Sequence, residues 1–596
     1  MVQKPRSEYP RPQMVREEWM CLNGFWQFEI DPGDSGLERG LVERELSDEI
    51  LVPFCPESEL SGIGRTDYLN AVWYRRRVEI PEHWADKTVL LHFEAVDTDT
   101  TIWIDGQEVK RHRGGWTPIS CVLTEEARAG AQHVVVVRAR DDHRSWQPQG
   151  KQSRKFDNQG CHYTRTTGIW QSVWIEPVDP RGRLERPRIT PDFEAGVFEL
   201  VLPVIGRCAS FHVEAELHDA EGVAAKARAG CGLNFMPRLR LEIPPDRRRA
   251  WSPENPFLYE LKLRLVGPGG EAIDEVASYG GLRSVSIDGD RVLINGRSVF
   301  QRLVLDQGYW PDGIMTAPSD EALVRDIELS MAAGFNGARL HQKVFEQRFL
   351  YHADRVGYLV WSEMGDWCWS SASDEQKQPR AATVVAQWIE AVERDYNHPS
   401  IIGWCPLNES LDAKDDQIHV HDDVMLATFL ASKAVDSTRP VLDTSGWTHR
   451  LNFADIYDVH DYEQDVETFA SHHAGAAAGG GMVNDNPQRK WSSIPRNGQP
   501  YMVSEFGGIW WQPGAEGDSW GYGDRPSDEE EFYRRFEGLC SALLENPGVF
   551  GYCYTQLTDV FQETNGLFGF DRSAKFDLQR LRRIQQKPAA IERTSE

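Results

Sequence analysis

Apolar positions follow two different rhythms along this chain. Up to about residue 180 they come in short alternating or continuous runs. Examples are Val89-Leu-Leu-His-Phe-Glu, Thr101-Ile-Trp-Ile and His133-Val-Val-Val-Val-Arg-Ala-Arg, with turns such as Asp105-Gly106 and Gly114-Gly115 between them. Period-two runs punctuated by turn residues predict a β-sandwich over 1–180. The style continues over 181–282, with Val197-Phe-Glu-Leu-Val-Leu-Pro-Val and Tyr259-Glu-Leu-Lys-Leu-Arg-Leu. A stretch of that size fits an immunoglobulin-like β-sandwich. From 283 to 596 strand-like and helix-like runs alternate. The strand candidates are Phe300–Leu305, Gly337–His341, Tyr358–Glu363, Ile401–Asn408, Val441–Thr444, Ile456–His460, Tyr501–Glu505 and Val549–Thr555. Helix patterns lie between them: Leu323, Ile327 and Met331 at four-residue spacing, then stretches near 344–356, 380–396 and 417–434, and one from Ser527 with Glu530 as its capping-box partner. Eight such strands predict a (β/α)8 TIM barrel.

In such a barrel, chemistry sits at the C-terminal ends of the strands. Polar residues recur there: Asp306, His341, Glu363, Asn408, Glu409, His460, Glu505 and Gln556. Two are glutamates ending apolar runs, Glu409 and Glu505. A carboxyl pair on different strands is what glycosidic cleavage needs: one group protonates the leaving oxygen, and the other meets the charge growing at the anomeric carbon. Glu409, partly desolvated, suits the proton donor. Its neighbour Asn408 can bond a substrate hydroxyl. Glu505 lies across the mouth, where Arg339 can keep it ionised and Tyr462 or His460 can donate to it. An isolated strand-end glutamate is more often a surface ion pair; two of them on strands four and seven reverse that weighting. His341, Glu363 and His460 could be assembled round a metal, but no His-x-x-x-His spacing supports one, and no metal is assigned. No Gly-rich phosphate loop is present, so no cofactor is expected. His472-His473 and Gly479–Gly481 fall in a stretch, 471–499, expected to form a loop, lid or aglycone wall over the same face.

Composition narrows the partners. With 596 residues the chain suits three or four domains of roughly 150 residues each. A net charge of −27 repels phosphate backbones and anionic membranes, so neither nucleic acid nor membrane is an expected partner. A glycoside or oligosaccharide substrate is expected, and homo-oligomerisation is left open. The 21 tryptophans suit sugar stacking as well as core filling. Ten scattered cysteines read as free thiols, and the N-terminal residues contain no signal-like apolar run, so a cytoplasmic location is expected. The sequon Asn408-Glu-Ser falls inside the candidate site and reads as chance.

Several motifs, in order, resemble glycoside hydrolase family 2, the family of β-galactosidases, β-glucuronidases and β-mannosidases. They are Leu22-Asn-Gly-Phe-Trp26, Trp73-Tyr-Arg-Arg, His112-Arg-Gly-Gly, Tyr163-Thr-Arg-Thr-Thr-Gly-Ile-Trp170, Trp251-Ser-Pro-Glu-Asn-Pro, Tyr279-Gly-Gly-Leu-Arg283, Gly334-Phe-Asn-Gly-Ala-Arg339-Leu-His341, Asn397-His-Pro-Ser-Ile-Ile-Gly-Trp and Ser504-Glu-Phe-Gly. The resemblance implies that the first sandwich is a jelly roll. It also implies that Glu409 is acid/base, that Glu505 is nucleophile, and that cleavage retains configuration through a glycosyl-enzyme. The β-glucuronidase Asn-x-Lys clamp has no counterpart in Glu563-Thr-Asn565-Gly566, which lacks the lysine. The family's strand-eight Trp is replaced within Tyr554-Thr-Gln-Leu, and Asp306-Gln-Gly-Tyr-Trp-Pro departs from the β-galactosidase cluster after strand one. These residues predict an exo-acting enzyme on an uncharged sugar, with β-galactoside as default and a 1,2-trans galacto- or arabinofuranoside as alternative. A non-catalytic carbohydrate-binding protein and a transglycosylase are the competing classes. Arg339 is the one cation the sequence places at the mouth; a preference for glucuronide would require another, such as Arg489 or Lys490.

Overall fold

The computed structural model describes residues 4–206, 209–234, 236–410, 417–486, 491–513 and 519–593. In the N-terminal part a six-stranded antiparallel sheet faces a four-stranded one. The six strands run Asp48–Val52, Gly24–Ile30, Ala71–Glu79, Gln132–Arg140, Asp99–Ile104 and Gln107–Arg113 across the sheet; the four are Met20–Cys21, Val173–Val178, Thr88–Phe93 and Ile119–Thr124. Trp26, Ile50, Val89, Leu91, Phe93, Val135, Val137 and Ile175 fill the space between them. The valine run of 132–140 is buried on both faces: Val135 and Val137 point into the space between the sheets, and Val136 packs on the other side with Leu41, Val42, Trp73 and Trp103.

The next sandwich packs a three-stranded sheet against a four-stranded one. Tyr259–Val266 shows the expected alternation, with Tyr259, Leu261, Leu263 and Leu265 buried and Glu260 and Lys262 exposed. Those leucines meet Phe198, Leu200, Leu239 and Leu241 from the facing sheet.

The C-terminal part is the barrel. Seven parallel strands lie in the order Ile401–Cys405, Leu359–Glu363, Gly337–Leu340, Gln301–Asp306, Val549–Thr555, Tyr501–Gly507 and Tyr457–Asp461. Helices Asp320–Ala332, Gln347–Val356, Ala381–Asp395, Val420–Val435, Val466–His473, Glu529–Leu544 and Leu578–Gln585 surround them. Two expectations need correction here. The stretch Val441–Thr444 is not a regular strand. It occupies the fifth position through backbone bonds to the fourth strand's extension, Leu442 N to Trp404 O at 3.0 Å and Glu409 N to Ser445 O at 2.9 Å. Toward the sixth strand it relies largely on side chains, because Asp443, Ser445 and Asp458 are polar and bond one another's surroundings. The helix after 527 is capped one residue later than expected. Asp528 accepts from Glu531 N, Ser527 bonds Glu531, and Glu530 pairs with Arg580. Met331 is 37% exposed although Leu323 and Ile327 are buried, since a four-residue spacing drifts round a helix with about 3.6 residues per turn.

The described residues of the stretch 471–499 include regular elements. The helix Val466–His473 runs into it, and Asp485–Asn486 pairs with Trp491–Ser492. Arg489 and Lys490 lie outside the described residues. His472 and His473 both approach Asp461. Cys21, Cys55, Cys405, Cys540 and Cys553 are buried thiols, and no described helix is long and apolar enough to cross a membrane.

The parts are not independent bodies. Trp116, Trp170 and Trp251, from the two sandwiches, belong to the same apolar cluster as the barrel core. Arg6 pairs with Glu346 at 2.7 Å, and Trp251 Nε1 donates to Asp354 O at 2.7 Å. The segment around Gly150 lies directly on the barrel. Gln149 N donates to Trp367 O at 3.1 Å and Gly150 N to Gly365 O at 3.0 Å. A Cβ on Gly150 would stand 2.1 Å from Gln342 O, at a φ of +62°. Only glycine allows that approach.

Candidate active site

The site is organised round Arg339, on the second barrel strand and 1% exposed. Its guanidinium donates to Glu363 Oε2 at 2.6 Å, Glu505 Oε1 at 2.8 Å, Ser504 O at 3.2 Å and Asn408 Oδ1. Four acceptors on three other strands or their extensions fix the fork in one plane. Glu363 is held in turn by Gln342 N at 2.9 Å, and His341 Nδ1 lies 3.0 Å from its Oε1. The other Glu505 oxygen accepts from Tyr462 OH at 2.5 Å. Tyr462 stacks on Tyr522 with centroids 3.5 Å apart. Burial alone would raise the Glu505 carboxyl. The charges of His460 and Arg339 and the Tyr462 hydroxyl outweigh it and bring the pKa down to about 2. Glu505 is therefore an anion at neutral pH.

Glu409 follows Asn408 where the fourth strand leaves the sheet, with φ at +46°. Such a conformation is strained for a non-glycine residue. It aims the carboxyl at His460, whose Nδ1 is 2.8 Å from Glu409 Oε1 and 3.5 Å from Glu505 Oε2. His460 sits at an irregularity in the ladder between the sixth and seventh strands, the kind of bulge that re-aims a side chain. Asn484 clamps its backbone on both sides, at 2.9 and 2.8 Å. Its Nε2 lies 3.0 Å from Ser445 Oγ. Ser445 donates its one hydroxyl proton to Asp458 at 2.7 Å, so toward His460 it can only accept. His460 Nε2 therefore carries a proton, and a second is shared between Nδ1 and Glu409. Burial opposes the imidazolium, but Glu505 and Glu409 hold its pKa above the ordinary histidine value. By contrast, burial and the nearby Lys151 keep His341 well below it, and neutral.

One oxygen each of Glu409 and Glu505, with a His460 nitrogen, lie within 4.8 Å of one another. This is the one such group of potential metal donors among the described residues. It is not the His341, Glu363 and His460 set weighed from the sequence. A cation there would compete with Arg339 and Tyr462, which already hold both Glu505 oxygens.

The structure thus brings together Arg339, His341, Glu363, Asn408, Glu409, His460, Tyr462 and Glu505. Asn408 Nδ2 is buried with no hydrogen-bond partner among the described residues, a donor left free beside the two glutamates. Asp306 and Gln556 stand apart. The Asp306 carboxyl turns back to accept from Gly308 N at 2.9 Å. Burial and Asp326 push it up to about 7. Gln556 is the centre of an amide chain, accepting from Gln307 at 2.8 Å and donating to Asn565 at 2.7 Å. Asn565 continues the chain to Glu563, which also accepts from Tyr163 OH of the first sandwich. Trp367, Ser445, Asp458, Asn484, Tyr522 and Lys151 were not evident from sequence. All except Ser445 and Asp458 lie on loops or on the other domain, where no strand-end rule points.

Comparison with known proteins places this arrangement. Three models of one family match in chain order: its sugar binding domain over residues 20–176, its central domain over 183–283 and its TIM barrel domain over 285–508. A β-galactosidase from Thermoanaerobacter pseudethanolicus is 23% identical over 421 residues, 67% of this chain and 52% of that protein. A β-glucuronidase from Paenibacillus borealis is 24% identical over 449 residues, 69% of this chain and 70% of that protein. The chain spans about half the length of most of the curated relatives it matches. Among solved structures, the Ruminococcus gnavus β-glucuronidase in complex with D-glucaro 1,5-lactone superposes with a TM-score of 0.78 at 19% identity, covering 98% of this chain and 100% of that one. A β-glucuronidase from an uncultured Clostridium species gives the same TM-score, identity and coverage. At that identity the likeness is one of fold. Three consecutive family matches over both sandwiches and the barrel establish that the chain belongs to glycoside hydrolase family 2.

Proposed function

We propose that the chain is an exo-acting, retaining glycoside hydrolase that releases an uncharged terminal sugar, with Glu505 as nucleophile and Glu409 as acid/base. One observation carries the reading: the two carboxyl groups approach within 4.8 Å at the barrel mouth, and one of them is kept anionic. Retaining enzymes hold their carboxyls about 5–5.5 Å apart, whereas inverting ones need room for a water between them. In the first step Glu505 attacks the anomeric carbon as the leaving oxygen takes the proton shared by Glu409 and His460. Arg339 and Tyr462 keep Glu505 charged and oriented until the bond forms. In the second step Glu409 takes a proton from water, which displaces Glu505 and returns the sugar with its original configuration. The free amide of Asn408 is positioned to donate to a hydroxyl next to the reacting centre.

An uncharged sugar fits the walls. Glu363, Glu409, Glu505 and Glu563 crowd the mouth, and burying a uronate among them without a dedicated cation would cost several kcal/mol. The chain Gln307–Gln556–Asn565 offers neutral amides, suited to hydroxyls. β-Galactoside is the first substrate to try. A 1,2-trans furanoside is the second, because Asp306 is turned away and leaves Gln307 where β-galactosides meet an acidic cluster. The test is a panel of aryl pyranosides and furanosides with wild type and Glu505→Ala. Wild type should turn over one neutral glycoside, and Glu505→Ala should lose at least about 10⁴-fold, since nothing else can form the covalent bond. Azide should restore the variant and yield a glycosyl azide of inverted configuration. Near-wild-type activity of Glu505→Ala without azide would remove it from this role.

A further inference from the structure

A second cation reaches the barrel mouth from outside the barrel. Lys151 belongs to the first sandwich, next to Gly150, whose close approach to Gln342 seats this segment on the barrel loop 365–367. Lys151 is 5% exposed. Its Nζ lies 5.3 Å from the Trp367 ring centroid and 5.8 Å from that of Tyr163. Both rings touch the site: Trp367 Nε1 donates to Asn408 O at 3.2 Å, beside Glu409, and Tyr163 OH donates to Glu563. The ammonium itself makes no hydrogen bond or ion pair among the described residues. Lys343 shows the structural alternative. It is equally buried, but Gly308 O and Met315 O accept from it at 2.6 and 2.7 Å. Lys151 keeps its donors free. Burial disfavours its charge, yet Glu563, and beyond it Glu505 and Glu409, hold its pKa above the ordinary lysine value. An ammonium in that setting stays charged and waits for an acceptor.

We infer that Lys151 and Glu563 together read hydroxyl groups of the bound sugar, the ammonium donating to one hydroxyl oxygen and the carboxylate accepting from a hydroxyl, so that the first sandwich supplies a specificity-determining side chain to the barrel site. The inference rests on the glycosidase reading above and names the feature that selects an uncharged substrate. Three carboxylates already share this one unpaired lysine, so a uronate would be a fourth, whereas a hydroxyl satisfies both a donor and an acceptor. The geometry also gives the sandwich a role in recognition beyond support for the barrel.

The experiment compares wild type, Lys151→Met, Glu563→Gln and Glu505→Ala on the best neutral aryl glycoside, its monodeoxy analogues and the aryl β-glucuronide. Methionine keeps the alkyl contacts with Trp367 and Tyr163. Lys151→Met should lower kcat/KM about 100-fold on the parent glycoside, the size expected for one charged hydrogen bond. On the single deoxy analogue lacking the hydroxyl that Lys151 holds, variant and wild type should agree within about threefold. Glu563→Gln should raise the glucuronide-to-neutral ratio at least about tenfold by removing a negative charge that would repel the uronate beside the ammonium. A Lys151→Met enzyme within about threefold of wild type on every substrate overturns the inference, as does an equal loss on all analogues. If Lys151→Met does not fold, Lys151→Gln supports or overturns it by the same comparison. Glu505→Ala separates the two levels. If it stays active, the glycosidase reading fails; if it is dead while Lys151→Met is unimpaired, only the lysine inference fails.

Discussion

Arg339 leaves its neighbours little freedom. It touches Glu363, Glu505 and Asn408 at once, so the nucleophile candidate and the hydroxyl-binding amide are set by one planar group. His460 does the same for the proton. It stands between Glu409 and Glu505, and Ser445 behind it fixes which nitrogen is protonated. This makes a pH prediction. The proton that His460 holds toward Glu409 leaves only above the ordinary histidine range, because the Glu505 and Glu409 carboxylates outweigh burial. In His460→Asn no imidazolium shares it, so the alkaline limb of kcat/KM should move to lower pH, by at least about one unit. A profile measured on an activated aryl glycoside and unchanged in the variant would show that His460 plays no part in holding that proton. At this scale the sequence is informative where chemistry coincides with a strand end. Glu409 and Glu505 end apolar runs, and Arg339 lies on a strand with His341 just past its end, so the strand rule finds them. Asp306 obeys the same rule and does not join the site, since the next turn offers the Gly308 amide to its carboxyl. Lys151 lies some 190 residues upstream of Arg339 in another domain, and no spacing rule could have connected them.

Among the elements, the segment 441–449 departs most from expectation, and it carries a buried charge network. Its apolar start, Val441-Leu442, reads as a strand, but Pro440 precedes it and Asp443 and Ser445 follow. Proline removes a ladder donor, and short polar side chains compete for the backbone. Asp443 bonds His449 Nδ1 at 2.6 Å, and the other ring nitrogen lies 3.3 Å from Asp458 Oδ1. Burial would lower the His449 pKa, but Asp443 and Asp458 raise it to about 10. A folded-state pKa above the unfolded value means stability that is fully present below about pH 6.5 and lost as pH rises toward 10. His449→Gln should therefore destabilise the protein by about 3–5 kcal/mol at pH 6, because two buried aspartates lose their cation. The gap from wild type should narrow as pH approaches 10. Urea midpoints measured at pH 6 and pH 9.5 check this, and a gap independent of pH would show that His449 is neutral in the fold. The capping shift from Ser527 to Asp528 has a similar lesson. Serine, aspartate and three successive glutamates at the helix start all satisfy the sequence rule, and only the three-dimensional placement of Arg580 beside Glu530 decides which glutamate is free to cap.

Taken as a whole, the molecule is an assembly in which neither sandwich is an appendage. The change of rhythm near residue 283 is plain in the sequence, because period two gives way to alternating strand and helix. The packing between the parts is not, because tryptophans at a domain interface and in a domain core look alike. Trp116, Trp170 and Trp251 are 2%, 0% and 0% exposed and lie in the barrel's own apolar cluster. Asp354, on a barrel helix, accepts from Tyr279 OH at 2.7 Å and lies 2.6 Å from His398 Nδ1. Glu346 is paired with Arg6 from the start of the chain. A barrel fragment beginning at 283 would expose the sockets of three indoles and leave Glu346 and Asp354 short of partners. Burying one such aromatic side chain is worth about 1.5–3 kcal/mol, and stranding a buried charge costs about as much again, so the summed loss rivals the total stability of a domain. The fragment 283–596 should therefore be insoluble, or unfold at least about 15 °C below the full chain. Thermal unfolding followed by circular dichroism decides the matter. A fragment that melts within about 5 °C of the full chain would show that the sandwiches only decorate the barrel, and the place of Lys151 in the site would then rest on the docking of Gly150 alone.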